Sequence, residues 1–139
     1  MLSPKRVKYR KTFKNFPNTL KYSNNRLSFG SFGLKSLAFG RLTAKQIEAA
    51  RRAITRKIKR KGKVWIKVFP HTPVTSKPTE VRMGKGKGNL SYWSHPLKAG
   101  TLLFELDGVS VDLAKQALTL GANKLPIKTK FIVNQTTIK

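Results

Sequence analysis

Residues 43–69 read TAKQIEAARRAITRKIKRKGKVWIKVF, and the change of period inside this stretch decides the fold. Ile47, Ala50, Ile54 and Ile58 recur at helical spacing and define one apolar stripe. Thr43 with Gln46 three positions later is a capping-box pattern, and Gly62 supplies a C-terminal stop. Beyond Gly62, Lys63–Phe69 switches to a β-type run, with Val64, Ile66 and Val68 on one face. A capped helix followed at once by a strand predicts an α+β domain. Taking about 100° per residue from Ile47, the side chains of Lys45, Arg52, Arg56, Lys59 and Arg60 fall between about 120° and 220°. The helix is therefore apolar on one side and basic on the other. A solvated helix face ordinarily mixes signs. This one carries a single acid, Glu48, placed to pair with Arg52 at i,i+4, which points to phosphate contact. A basic amphipathic helix can also lie on a membrane, but this stripe is Ile and Ala with no interfacial Trp or Phe, so it reads as core.

Working outward, residues 27–42 (LSFGSFGLKSLAFGRL) read as a short strand with bulges or close backbone approaches at Gly30, Gly33 and Gly40. Pro70, Pro73 and Pro78 make residues 70–78 a rigid loop, and Thr79–Met83 reads as a short strand entering the glycine-rich Gly84–Asn89. Thr101–Leu106 is a buried strand closed by Asp107–Gly108, a hairpin-type signal. Ser110 caps a second helix over about residues 111–122, with Leu113, Ala117, Leu118 and Leu120 as core candidates, and Lys128–Val133 is a last strand. The expected architecture is two helices packed on a small mixed or antiparallel sheet of four to six strands. A basic extended arm (residues 1–26) precedes this single domain (27–133), and a polar tail (134–139) follows it.

Charge narrows the function. Thirty Lys plus Arg stand against five Asp plus Glu in 139 residues, a net charge of +25 with a sequence pI near 11.2. Such a chain repels itself when compact, so a polyanion should favour its folded state. DNA, RNA and anionic membrane all qualify on charge alone. No acid precedes Glu48, and the opening segment mixes its cations with Tyr9, Phe13, Phe16 and Tyr22. That interleaving suits an arm that stacks on bases, where a solvated tail would need no aromatics. With no cysteine, disulfides, thiolate metal sites and a cysteine nucleophile are excluded. No apolar run approaches the length of a membrane span or a secretory signal.

Enzyme motifs fail in turn. GKGKG (84–88) lacks the spacing of a nucleotide-binding loop, and Asn89 and Ser91 stand where a dinucleotide motif needs its third Gly. What remains is a loop whose unhindered N–H groups can approach a sugar-phosphate backbone, or a merely flexible tip. Of the five acids, Glu105, Asp107 and Asp112 cluster around one turn, where capping and charge balance explain them. His71 and His95 sit in presumed loops with no ligand-spaced partner. No metal, cofactor, small-molecule substrate or catalytic residue is expected.

The run Thr43–Pro70, the stretch Lys77–Asn89 (KPTEVRMGKGKGN) and Phe104–Val109 (FELDGV) closely resemble bacterial-type large-subunit ribosomal proteins of the universal L-sixteen family. So do Met1–Arg6, Ser28–Lys35 and Lys124–Phe131, and Val81–Gly88 with Ile47–Ala53 (IEAARRA) is the most specific part. The resemblance implies a hammerhead-type fold and a non-catalytic protein held in large-subunit rRNA near the A site, beside neighbouring large-subunit proteins. It further implies help in positioning A-site tRNA and a role in late subunit assembly. The rRNA-binding residues expected are Lys5, Arg6, Lys8, Arg10, Lys11 and Lys14 of the arm, then Arg41, Lys45, Arg51, Arg52, Arg56, Lys59, Arg60 and Lys63. Arg82, Met83, Gly84, Lys85, Gly86, Lys87 and Gly88 form the loop expected to face tRNA and the peptidyl-transferase region. Residues 15–25 depart from the family's Gly/Arg-rich arm, His71 replaces a common acid, and Ser94-His95-Pro96 interrupts what is usually an apolar strand. Lys outnumbers Arg 21 to 9, which with the family-like start favours an organelle-encoded protein, mitochondrial first, with a plastid or bacterial cytoplasm as alternatives.

Overall fold

A computed structural model describes residues 2–14 and 26–134. Its organising element is α1 (Ala44–Lys57), which begins where the capping box requires. The Gln46 N–H donates to Thr43 Oγ1 at 3.3 Å, and the Thr43 N–H donates back to Gln46 Oε1 at 2.9 Å. Ile47, Ala50 and Ile54 are fully buried. The helix stops short of Gly62. Ile58 is its C-cap, and Lys59 and Arg60 follow in the left-handed region at φ 51° and 63°.

Among the described residues, seven strands form two antiparallel sheets. The larger is ordered β3 (Lys63–Ile66), β6 (Leu102–Asp107), β1 (Phe32–Ser36), β7 (Thr129–Val133). α1 packs on α2 (Val111–Ala122); α2 touches β1 and β7, and α1 touches β3. Residues 102–106 of the central β6 are all buried, which explains their unbroken apolar reading apart from Glu105. The core joins Phe32, Leu34, Ile47, Ile54, Phe104 and Leu118 with their buried neighbours.

The smaller sheet is ordered β2 (Gly40–Thr43), β5 (Asn89–Leu97), β4 (Thr72–Ser76). β5 works in two halves: residues 89–94 pair with β4 and residues 94–97 with β2. Pro96 lies opposite Arg41, beyond the reach of β4, so its missing N–H breaks no ladder on that side. Pro73 is tolerated because β4 is an edge strand.

Several expectations are corrected. One sheet becomes two. Residues 27–42 yield two strands in different sheets, with a register shift at Leu34/Lys35. The 70–78 loop contains β4, whereas Thr79–Met83 forms turns and bends rather than a strand. Ser94-His95-Pro96 does not interrupt β5. Asp107–Gly108 leads into α2, not back along a hairpin. Ser110 is the N-cap, but its side chain makes no capping hydrogen bond. Leu120 is 44% exposed and Leu113 only partly buried; Ala114 and Gly121 take the core positions beside Ala117 and Leu118. Residues 15–25 of the proposed arm, Phe16 and Tyr22 among them, and residues 135–139 of the proposed tail lie outside the described residues.

Candidate nucleic-acid interface

The outer side of α1 is an open groove of about 550 Å³ lined by Arg51, Arg52, Thr55, Arg56, Lys59 and Arg60. Glu48 is the acid that disciplines it. Arg51 donates to both Glu48 oxygens, Nε at 2.9 Å and Nη2 at 2.7 Å, and Arg52 Nε donates at 3.0 Å. The Arg51 hydrogen bond, against partial desolvation and with Arg52 helping, holds the Glu48 carboxyl down at about 2. Two guanidinium groups are thus oriented by one carboxylate. Among the described residues, no carboxylate stands within ion-pair distance of Arg56, Lys59 or Arg60. The helix ends before Lys59 and Arg60, yet with left-handed backbone both cations still line the groove.

The structure divides the remaining expected cations among other surfaces. Lys5, Arg6, Lys8, Arg10, Lys11 and Lys14 are all exposed along an arm segment without regular structure. Lys45 lies at the other end of α1, in a separate recess with Leu2, Ser3, Tyr92 and Trp93. Arg41, on β2, lines a narrow cleft with Thr12, Phe13, Lys14, Lys87 and residues of β4. Lys63 stands over the Trp65 ring, 5.3 Å from its centroid.

The glycine loop is a tip shaped by backbone conformation. Gly84, Lys85 and Gly86 all have positive φ, at 97°, 54° and 85°. A Cβ at Gly84 or Gly86 would meet nothing within 4 Å, so glycine serves conformation there; at Gly88 it would sit 2.4 Å from Ser76 O, so glycine serves space. Arg82, Met83 and Lys85 are exposed. Lys87 differs from them: its ammonium donates to Thr12 O and lies 5.8 Å from the Phe13 centroid, while Lys11 Nζ donates to Lys87 O at 2.9 Å. Arm and loop hold each other through a residue that the sequence placed only on the loop. The Lys77 ammonium also donates to Gly84 O, tying the loop's base to its tip.

Sequence reading missed two features. Glu105, assigned to charge balance at a turn, is fully buried. Its Oε2 accepts the backbone N–H groups of Ser28, Phe29 and Gly30 at 3.2, 2.7 and 3.0 Å, and Lys67 Nζ lies 3.3 Å from Oε1 as an ion pair without hydrogen-bond alignment. Burial by itself raises the Glu105 carboxyl, but the Phe29 and Gly30 N–H groups and Lys67 outweigh it and hold the group below the usual carboxylate range. The available signal was an acid inside an otherwise unbroken apolar strand. His71 and His95, read as unpartnered, meet edge to face at 5.3 Å, each Nδ1 facing Phe69 O at 3.1 and 2.9 Å. Nothing in their sequence spacing signals that. Among the described residues, no three His or acidic groups are placed to hold a metal, and no helix is long and apolar enough to cross a membrane.

Comparison with known proteins gives a consistent result. Residues 4–132 match the family model described as ribosomal protein L16p/L10e. The chain is 62% identical over 132 residues to the large ribosomal subunit protein uL16 of Azorhizobium caulinodans, covering 95% of this chain and 96% of that protein. The uL16 proteins of Chelativorans sp. (60% over 132 residues, 95% and 96% covered) and Aeromonas hydrophila (56% over 133 residues, 96% and 97% covered) are similar throughout as well. These relatives are bacterial, so they lend no support to the expected mitochondrial origin, and the bacterial alternative fits them.

Proposed function

The chain belongs to the ribosomal protein L16p/L10e family, and from that premise we propose that it binds large-subunit rRNA near the A site and helps position A-site tRNA. As a family member it is a structural, non-enzymatic constituent of the large ribosomal subunit, working among rRNA and neighbouring subunit proteins. The finer reading is carried by one observation: the α1 groove gathers Arg51, Arg52, Arg56, Lys59 and Arg60 with a single acid at its edge. Such a surface suits a phosphate backbone and offers little to a neutral ligand. The arm cations and Arg41 extend the rRNA contact. The Arg82–Gly88 tip, exposed and free of bulk at Gly84 and Gly86, faces A-site tRNA beside the peptidyl-transferase region. A part in late assembly belongs to the same proposal, and the tie between arm and tip through Lys87 supports it, since RNA that engages the arm also reaches the loop. The same function holds in a bacterial cytoplasm, a plastid or a mitochondrial matrix.

One experiment with two arms tests this. Replacing Arg52, Arg56 and Arg60 with Ala should weaken rRNA binding and flatten its salt dependence by about one unit of slope for each phosphate no longer neutralised. Replacing Arg82 and Lys85 with Ala should leave that slope nearly unchanged and instead reduce A-site tRNA binding by purified large subunits. An unaltered slope in the triple variant removes the helix as a phosphate reader. Equal losses of assembly and tRNA binding in the loop variant remove its tRNA-facing role.

A further inference from the structure

β3 turns Val64 and Ile66 toward the core, and its outward face has an order of its own. Lys63, Trp65 and Lys67 alternate with the core-facing residues, so the strand period puts one aromatic between two cations. A second ring joins them from the approach to β1. Phe29 stacks on Trp65 with centroids 6.0 Å apart and planes 21° apart. Lys67 Nζ lies 4.4 Å from the Phe29 centroid, and Lys63 Nζ lies 5.3 Å from that of Trp65. The result is a surface row of cation, ring, ring, cation.

Phe29 is 61% exposed, and the way it is held sets it apart from an ordinary exposed ring. The backbone on both sides of it is pinned by three N–H donors to one oxygen of Glu105. Glu105 is itself fully buried in β6, and Lys67, which covers the Phe29 ring, is its ion-pair partner. A buried carboxylate is costly to desolvate, and a core that needed only closing would be served by an apolar residue at 105. Here that charge fixes the position of an exposed aromatic and its cation. A rigid, exposed ring beside a half-buried one, with ammonium groups on either side, is what an unstacked base with its phosphates requires.

We propose that Phe29 and Trp65, set between Lys63 and Lys67, form a stacking platform for an unpaired base of the bound RNA, with the two ammonium groups taking the flanking phosphates. The proposal rests on the rRNA-binding function and adds to it that the RNA partner includes a splayed-out nucleotide on this face, beyond the duplex backbone read by α1. Base stacking is indifferent to base identity, so the platform selects for single-strandedness rather than sequence.

The chain holds two tryptophans, so Trp93→Phe leaves Trp65 as the sole reporter in the full-length protein. Single-stranded oligoriboadenylate should quench Trp65 fluorescence, and a fully paired RNA duplex of equal phosphate count should quench it little. Phe29→Ala should raise the Kd for the single strand by roughly five-fold or more while leaving the salt slope intact. Phe29→Tyr, which keeps a ring, should restore binding, and Phe29→Leu, which keeps only apolar bulk and guards against a folding artefact, should not. Quenching that is absent, equal for duplex and single strand, or insensitive to Phe29→Leu overturns the platform. If the α1 variants still lower the rRNA salt slope in that case, only the platform falls; if they do not, the rRNA reading fails with it.

Discussion

Glu105 shows how much one residue can decide. Its carboxylate is the buried anchor of residues 28–30, and those residues lead directly into β1. Because its folded pKa lies below its unfolded one, it contributes stability that is fully present above the ordinary carboxylate value of about 4.3. That contribution is lost as pH falls from there through the folded value. Glu48 pulls in the same direction, but its pairs with Arg51 and Arg52 lie at the surface and are worth little. Glu105→Gln should therefore lower stability at neutral pH by about 2–4 kcal/mol, since the amide presents donors toward Lys67 and leaves that ammonium unpaired. It should also flatten the acid limb of stability below about pH 4.3. Urea unfolding of both proteins at pH 7 and pH 3 checks this. A variant that loses as much stability on acidification as the parent would assign the acid limb to another carboxylate.

Between elements, α1 packs closely against α2, and Gly121 makes that approach possible. A Cβ there would lie 2.6 Å from Ile54 Cγ1 and 2.8 Å from its Cδ1, with Ile54 itself fully buried and unable to swing away. Gly121→Ala gains about 1 kcal/mol of helix propensity but overpacks the interface, which typically costs about 1–3 kcal/mol. We expect net destabilisation, read as a lower chemical-denaturation midpoint. Ile54→Ala should be destabilising alone, yet the double variant should be less so than the sum, because the shortened side chain at position 54 no longer meets the added methyl. Strict additivity would show that the helices separate freely. The division of labour along β5 belongs to this scale too. One strand serves β4 and β2 in succession, and the handover at Ser94 leaves room for Pro96.

For the whole molecule, the governing quantity is a net charge of +25 spread over a fold with only five acids, two of which make all the ion pairs among the described residues. The free protein folds against its own repulsion. Its thermal midpoint should rise as salt is raised from about 10 mM to about 150 mM, while the Debye length shrinks from about 30 Å to about 8 Å. Differential scanning fluorimetry across that range measures it. A midpoint indifferent to salt would mean that the cations are spaced widely enough to ignore one another, and the case for a polyanion as folding partner would weaken.

The sequence by itself determined what is local. The Thr43–Gln46 cap, the Ile47–Ile58 stripe, the basic outer face of α1 and the bounds of α2 all follow from interactions within a few residues, where spacing and position in space are the same thing. The α+β class and the exposed glycine tip were legible for the same reason. Only the tertiary structure decided what depends on residues far apart in the chain. Pro-containing segments became strands because the sheets offered an edge to Pro73 and a free flank to Pro96. Glu105 became an anchor because residues 75 to 77 positions away brought it their N–H groups. Lys87 turned to the arm, and Phe29 met Trp65, through closures that no local pattern encodes. A hydrogen bond or a stacked ring carries no period along the chain, so its partner is known only once the chain has folded.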